Sequence, residues 1–265
     1  LSSMYIGTRI SAIAWSPRCR SPAASPTGHW YLELAVGCTD GKIHLITQRA
    51  SDEPVAHEFS GLPSGHKGNV ADLCFFSCGN DPARYLASVG DDRRCILWDL
   101  YPSHSQDDQD DEAVSEMLSP SPTPFSPIPY SIAFRHPLRS VASHSSNARC
   151  IMVSDVHGTV SMVNWMDLES DSTLRDAVWS GHKVVEFIDP AALSRSVSGL
   201  NSVWGGGASW KPSDPDMFGA TYGPSWVVWN QRKLQGGKPV AKGEGFLEGG
   251  SQFRYVRRNY VGPRS

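Results

Sequence analysis

Between Gly65 and Leu100 the chain runs GHKGNVADLCFFSCGNDPARYLASVGDDRRCILWDL, and no other stretch restricts the possible folds so tightly. It opens on Gly65-His66 and closes on Trp98-Asp99, with three apolar runs between them: Val70–Phe76, Tyr85–Val89 and Cys95–Trp98. Asp81-Pro82-Ala83-Arg84 separates the first two runs, and Gly90-Asp91-Asp92-Arg93-Arg94 the last two. Short runs rich in β-branched and aromatic residues, punctuated by Gly, Pro and Asp, predict an antiparallel meander. The polar residues predict how it is held. His66, once buried, passes a hydrogen bond through Ser88 to Asp92 in the tight turn. Trp98 follows six residues after Asp92, and its indole N–H needs a partner when buried. The stretch reads as one blade of a β-propeller.

Other parts of the chain repeat pieces of this pattern, as a blade architecture requires. Arg9–Pro17 (RISAIAWSP), Ser131–Pro137 (SIAFRHP) and Gly207–Pro212 (GASWKP) each carry an aromatic two residues or so before a proline. With Phe75 in the matching place, Trp15, Phe75, Phe134 and Trp210 are expected on the first strands of four successive blades and in their cores. The far half of the blade also recurs. Asp40 and Ile46, His157 and Val163, and the run Ser225–Asn230 with Trp229 match the turn and the tryptophan around Asp92 and Trp98. Only Gly65–Leu100 holds the full set His66, Ser88, Asp92 and Trp98. The expected fold is all-β: a single WD40-type β-propeller over 1–265, with about four to five blades visible and blades missing at both ends. Four such blades rarely close a ring alone.

The 265 residues are 40% hydrophobic, enough for a sizeable core, and the net charge of −3 exerts no general pull on nucleic acid or membrane. No run of eighteen apolar residues is present, and LSSMYIGTRI lacks the charged and apolar regions of a secretory signal. Six cysteines without a CxxC pair, and no Asn-x-Ser/Thr acceptor, suit a reducing compartment and supply no zinc motif.

Two segments break the pattern. Arg18–Trp30 is a Ser/Pro-rich loop. From Tyr101 to Pro129 an acidic run (Asp107–Glu116) is followed by SPSPTPFSPIP. Proline at that density cannot continue a sheet, so a disordered insertion at about 102–129 is expected. In it Ser119, Ser121, Thr123 and Ser126 each precede a proline and are candidate sites for proline-directed kinases, although composition alone favours an unregulated loop. His182, in a second Gly-His pair, reads equally well as a blade-opening histidine or a loop residue. After Asn230 the chain is glycine-rich and basic, with Phe253, Tyr255 and Tyr260 interleaved; a connector and a further first strand is preferred to a nucleic-acid patch.

No catalytic motif occurs: there is no Walker loop, GxSxG elbow, HExxH or EF-hand run. Gly205-Gly206-Gly207 lacks the strand-to-helix setting of a phosphate cradle. Catalytic, cofactor-binding and metal-binding residues are all expected to be none, and no enzyme is expected.

The ordered motifs resemble the WD40 nucleoporins of the nuclear-pore outer ring, the nucleoporin 37 family, in a fungal-type form. The resemblance rests on Arg9–Pro17, Asp40-x-Lys42-Ile43-His44-Leu45, Gly65-His66, Leu86–Asp92 and Cys95–Leu100. It continues through Ser131–Pro137, Gly158-Thr159-Val160 and Trp226–Asn230. Departures are the long insertion and Asn164 and Asn230 in place of a closing Asp. The resemblance implies a seven-bladed propeller in the Y complex at the nuclear envelope. It further implies a non-enzymatic scaffold that binds the larger nucleoporin combining propeller and helical domains, and so supports pore assembly and transport of protein and mRNA. No direct nucleic acid, membrane insertion, small-molecule substrate or cofactor is implied. The competing reading is a generic WD40 adaptor, such as a ubiquitin-ligase substrate receptor or a histone-tail reader. The former commonly carries an arginine two residues after Trp-Asp, where this chain has Tyr101.

Overall fold

Alternation of apolar and polar side chains at period two, interrupted by Gly, Asp and Pro, leaves the chain no way to bury its apolar positions except as stacked, half-buried sheets. A computed structural model shows how this is done; it describes residues 3–24, 29–50, 52–60, 63–78, 81–102, 125–165, 184–189, 205–222, 225–233 and 238–245. Among the described residues, sixteen strands form four four-stranded antiparallel sheets, each from consecutive strands. The first blade is β1 (Ile10–Trp15), β2 (Tyr31–Cys38), β3 (Ile43–Arg49) and β4 (Val55–Phe59). The second is β5 (Val70–Cys78), β6 (Asp81–Gly90), β7 (Arg94–Asp99) and β8 (Ile128–Ala133). The third is β9 (Leu138–His144), β10 (Asn147–Asp155), β11 (Val160–Asn164) and β12 (Val184–Phe187). The fourth is β13 (Gly205–Lys211), β14 (Asp214–Tyr222), β15 (Ser225–Asn230) and β16 (Ala241–Glu244).

The sheets stack in chain order, β1 and β2 against β5, β5 and β6 against β9, and β9 and β10 against β13. Cross-strand register lines up one row per blade: Trp15–Leu34–Ile46, Phe75–Leu86–Trp98, Ser143–Ile151–Val163 and Trp210–Phe218–Trp229. From the second blade on, each row faces the preceding blade. Phe75, Leu86 and Trp98 pack on Ala12, Ala14, Ala35 and Leu45, and Trp210, Phe218 and Trp229 pack on Met152, Val160, Met162 and Phe187. Full burial of such a side chain stabilises by about 1.5–3 kcal/mol relative to exposure, so these rows carry most of the cohesion between blades.

The inner strands share a second device. β1, β5, β9 and β13 all have a register shift near their start, the mark of a β-bulge. In three of them a polar side chain at that point reaches the inner strand of the next blade. Ser11 Oγ donates to the Val70 carbonyl at 2.7 Å, Asp72 Oδ2 accepts from the Val141 N–H at 3.0 Å, and Ser140 Oγ accepts from the Ala208 N–H at 3.0 Å.

Several expectations need correction. Trp15 is 65% exposed and is not a core residue. Its row faces away from the second blade, and in its own row Ile46 is buried in a small cluster with Val36 and Cys38, against which Leu34 and the N-terminal Met4 and Ile6 pack. Phe134 does not lie on a first strand. Ser131–Ala133 belong to β8, the outer strand of the second blade; Phe134 follows it, half-buried, and Ser143 holds the corresponding place on β9. The aromatic-x-Pro pattern misleads there because an outer strand alternates and stops at a proline just as an inner one does. Asp81–Arg84, expected as a separator, is the start of β6 with Ala83 buried. The expected insertion is also narrower at its far end: Ile128 and Pro129 pair with Asp99 and Trp98 in the β7–β8 ladder. Just before them Phe125 packs on His57 (5.0 Å), Phe59 (5.7 Å) and Tyr101 (6.1 Å between centroids). Ser126 is exposed; Ser119, Ser121 and Thr123, like His182 and residues 246–265, lie outside the described residues.

The turns joining the second and third strands repeat closely. Gly41, Arg93 and Gly158 hold corresponding positions, all with left-handed φ, at 87°, 65° and 87°. A Cβ on Gly158 would meet the Tyr222 ring of the fourth blade. Gly158→Ala is therefore expected to lose about 2 kcal/mol. Arg93→Gly, which relieves the same backbone strain, should stay within about 1 kcal/mol of the parent. Urea unfolding of both variants measures the difference.

Candidate interaction face

The strand directions put the β2–β3, β6–β7 and β10–β11 turns on one face of the stack, together with the loops leading into β5 and β9. The loop before β5 carries His66, and the turn after β6 carries Asp92. Trp98 Nε1–H donates to Ser88 Oγ at 2.9 Å, Ser88 Oγ lies 2.8 Å from His66 Nε2, and His66 Nδ1 lies 2.9 Å from Asp92 Oδ1. A carboxylate only accepts, so Nδ1 carries the proton; in a neutral imidazole Nε2 then accepts from the Ser88 hydroxyl. The bonds run in one direction, from indole to hydroxyl to imidazole to carboxylate. The order expected from sequence differs in one respect: His66 sits between Ser88 and Asp92 and bonds both. Asp92 also accepts the backbone N–H groups of Lys67 (3.0 Å) and Arg94 (3.3 Å), tying the lead-in loop to the turn. Burial pushes the Asp92 pKa up, but the hydrogen bond and electrostatic attraction of His66 and the two backbone N–H groups outweigh it and hold it below the ordinary carboxylate value.

At the opposite end of the strands a second polar cluster joins the first two blades. Glu33 on β2 is fully buried. Its Oε1 accepts from Ser16 Oγ at 2.5 Å, and its Oε2 from the hydroxyls of Tyr31 (2.8 Å) and Tyr101 (3.0 Å), the latter just beyond β7. Arg18 approaches the same oxygen at 3.7 Å and lies 4.2 Å over the Tyr101 ring. Burial, then the Glu33 carboxylate, pushes the Tyr31 phenol up to about 12 and raises Tyr101 likewise. The cluster supplies a buried carboxylate with its partners, so the charge is tolerated. Sequence reasoning missed Glu33; the signal was its place in YLELAV, where period two puts it on one face with Tyr31 and Ala35.

On the third blade the loop-and-turn face opens into a cleft of about 340 Å³. Leu138, Val153 and Asp155 lie at its base, and His136 and His157 meet edge to face at 4.4 Å. Asp155 and Glu186, both on this cleft, were also not singled out from sequence. The remaining expected core aromatics are Phe75 (7% exposed), Trp210 (4%) and Trp229 (1%), all in inter-blade clusters. Among the described residues no group of three or more His, Cys, Asp or Glu side chains is placed to hold a metal ion.

These features meet in comparisons with known proteins. A crystal structure of the Cps50 (Swd1) β-propeller domain of Myceliophteria thermophila superposes with a TM-score of 0.54 over 94% of this chain and 58% of that one, at 14% identity. The fold is a WD40-type β-propeller. Over 100 residues the propeller is 31% identical to nucleoporin Nup37 of Mus musculus, and over 102 residues 31% identical to nucleoporin Nup37 of Homo sapiens. Each match covers 38% of this chain and 27% of the nucleoporin, so the alignments span about a quarter of the curated relatives' length. No family model matches the propeller. The chain is thus WD40 nucleoporin-like over part of its length and propeller-like throughout the described blades.

Two measurements probe the indole-to-carboxylate chain. Trp98→Ala removes a buried ring and leaves Ser88 short of a donor, and is expected to cost about 3–5 kcal/mol; Asp92→Ala, which orphans His66 and two N–H groups, about 1–3 kcal/mol. Values near zero in guanidinium unfolding would show that the chain carries no stability. A depressed folded pKa means that Asp92 stabilises fully above the unfolded Asp value of about 3.9 and that this contribution fades as pH falls through the folded value. Asp92→Asn should therefore flatten the loss of stability below pH 4 relative to the parent.

Proposed function

We propose that this propeller is a non-enzymatic scaffold subunit of the outer ring, or Y complex, of the nuclear pore, located at the nuclear envelope. Its partner in this reading is the larger nucleoporin that combines a propeller with a helical domain. The observation that carries the proposal is the 31% identity to nucleoporin Nup37 over 100 residues, on a chain whose motifs fall in that family's order. Rigid blades support it physically. Their hairpin turns and lead-in loops vary without disturbing the inter-blade rows, which suits a protein that presents surfaces and performs no chemistry. His66, Ser88, Asp92 and Trp98 keep the fold in this reading and do not touch the partner.

The proposal extends to Ser126 only as a candidate phosphosite, since it is exposed beside the Phe125 packing point. The test is affinity capture of the endogenously tagged protein, with imaging of the same tag. Co-purification of the outer-ring nucleoporins and a rim at the nuclear envelope are expected. A diffuse nuclear signal with no outer-ring nucleoporin recovered would overturn the assignment.

A further inference from the structure

The cleft of the third blade occupies the hollow that the hydrogen-bonded chain fills in the second. Register makes the correspondence residue by residue. Leu86 and Trp98 stand where Ile151 and Val163 do. Counting along the same hairpins, Val153 replaces Ser88 and His157 replaces Asp92, and Phe134 precedes Leu138 by the interval that separates His66 from Val70. The backbone is kept: Asp91 N–H donates to the Asn69 carbonyl at 3.2 Å, and Val156 N–H to the Pro137 carbonyl at 3.0 Å. The third blade retains the frame but has lost the polar side chains that plug it, and the space left is the cleft of about 340 Å³.

The plug has been replaced by a different chemistry. Asp155, only 7% exposed, uses Oδ1 to accept the N–H groups of His157 (2.9 Å) and Thr159 (2.8 Å). Its Oδ2 has no hydrogen bond among the described residues. A second carboxylate, Glu186 on β12, is exposed at the same cleft. Phe134 and the edge-to-face pair His136–His157 present aromatic surface, and Leu138 and Val153 form an apolar base. A free carboxylate oxygen of a mostly buried side chain, open only to the cleft, gains most from a cationic donor. Aromatic faces attract the same cation, and an apolar base accepts the methylene stem behind it. Arg135, exposed at the cleft, is the one cation among its lining residues, so the carboxylates outnumber it with the histidines neutral. The volume lies at the low end of ligand pockets, enough for one side chain.

We propose that this cleft receives a single lysine or arginine side chain presented by a partner protein. The proposal rests on the reading of the propeller as a protein-interaction subunit and adds the chemistry by which one partner residue is recognised. It is independent of which assembly the propeller joins.

The test is an NMR titration of the full 265-residue chain, isotope-labelled, with blocked hexapeptides of Gly and Ser carrying one central Arg, Lys, Gln or phosphoserine. The Arg or Lys peptide should shift the amides of Thr159 and Ser161, and the Gln and phosphoserine peptides should not. Asp155→Asn should weaken binding about tenfold (about 1.4 kcal/mol), Glu186→Gln about threefold (about 0.6 kcal/mol), and Arg135→Gln should tighten it. Glu186 is exposed, so its variant keeps the test valid if Asp155→Asn fails to fold. Equal binding of the Gln peptide, preference for phosphoserine, no shifts with either cation, or an affinity unchanged in Glu186→Gln would each overturn the proposal. A negative titration alongside intact outer-ring co-purification removes the cleft alone; a positive titration without co-purification removes the nuclear-pore assignment alone.

Discussion

Stacking of each blade's apolar row onto the blade before it is the constraint on which the rest of this structure depends. A single four-stranded sheet has two faces and cannot bury either alone. Here the rows Phe75–Leu86–Trp98, Ser143–Ile151–Val163 and Trp210–Phe218–Trp229 each find a preceding sheet, and the polar side chains Ser11, Asp72 and Ser140 fix the inner strands to one another at the bulges. Burial is nondirectional, so it fixes that the blades stack without fixing how. The inner-strand bonds supply the missing direction. They tie a side chain at each bulge to a backbone group of the next blade, which sets the stagger of neighbouring sheets.

Much of this was legible in the sequence because the signals are local. The three apolar runs of Gly65–Leu100, the punctuating turns and the residues His66, Ser88, Asp92 and Trp98 all lie within one hairpin sequence and its lead-in loop. The equivalence of Ile46, Trp98, Val163 and Trp229 on the third strands was likewise readable, since turn and strand repeat at one spacing. What failed was nonlocal. Whether Trp15 is buried depends on what covers its face, which no pattern within Arg9–Pro17 states. Whether SIAFRHP is an inner or an outer strand depends on the pairing of Ile128–Ala133 with β7 across the long insertion. The Glu33 cluster draws Ser16, Tyr31 and Tyr101 from three separate segments, and the cleft exists because of what the third blade lacks.

The polar groups divide by face. At one end of the strands Glu33 and its phenols fasten the first blade to the second with every partner supplied. On the other, the second blade is plugged and the third is open. In the proposed reading this asymmetry has a use: the filled hollow stabilises and the open one recognises a partner residue. The two roles need not compete when neighbouring copies of the same frame divide them.

Arg93 shows how unevenly the blades tolerate change. Its left-handed backbone is held by glycine at the corresponding turns of the first and third blades. The adverse residue sits in the one blade whose turn is also pinned by Asp92 through Arg94 and Lys67. Stability in excess of need acts as mutational capacity: the well-bonded blade can absorb a strained side chain. At the third-blade turn Asp155 likewise accepts two backbone N–H groups, but a side chain at Gly158 would meet the Tyr222 ring, and there the glycine stays. Substitution is therefore freest not where the pattern has already eroded, but where it is still complete.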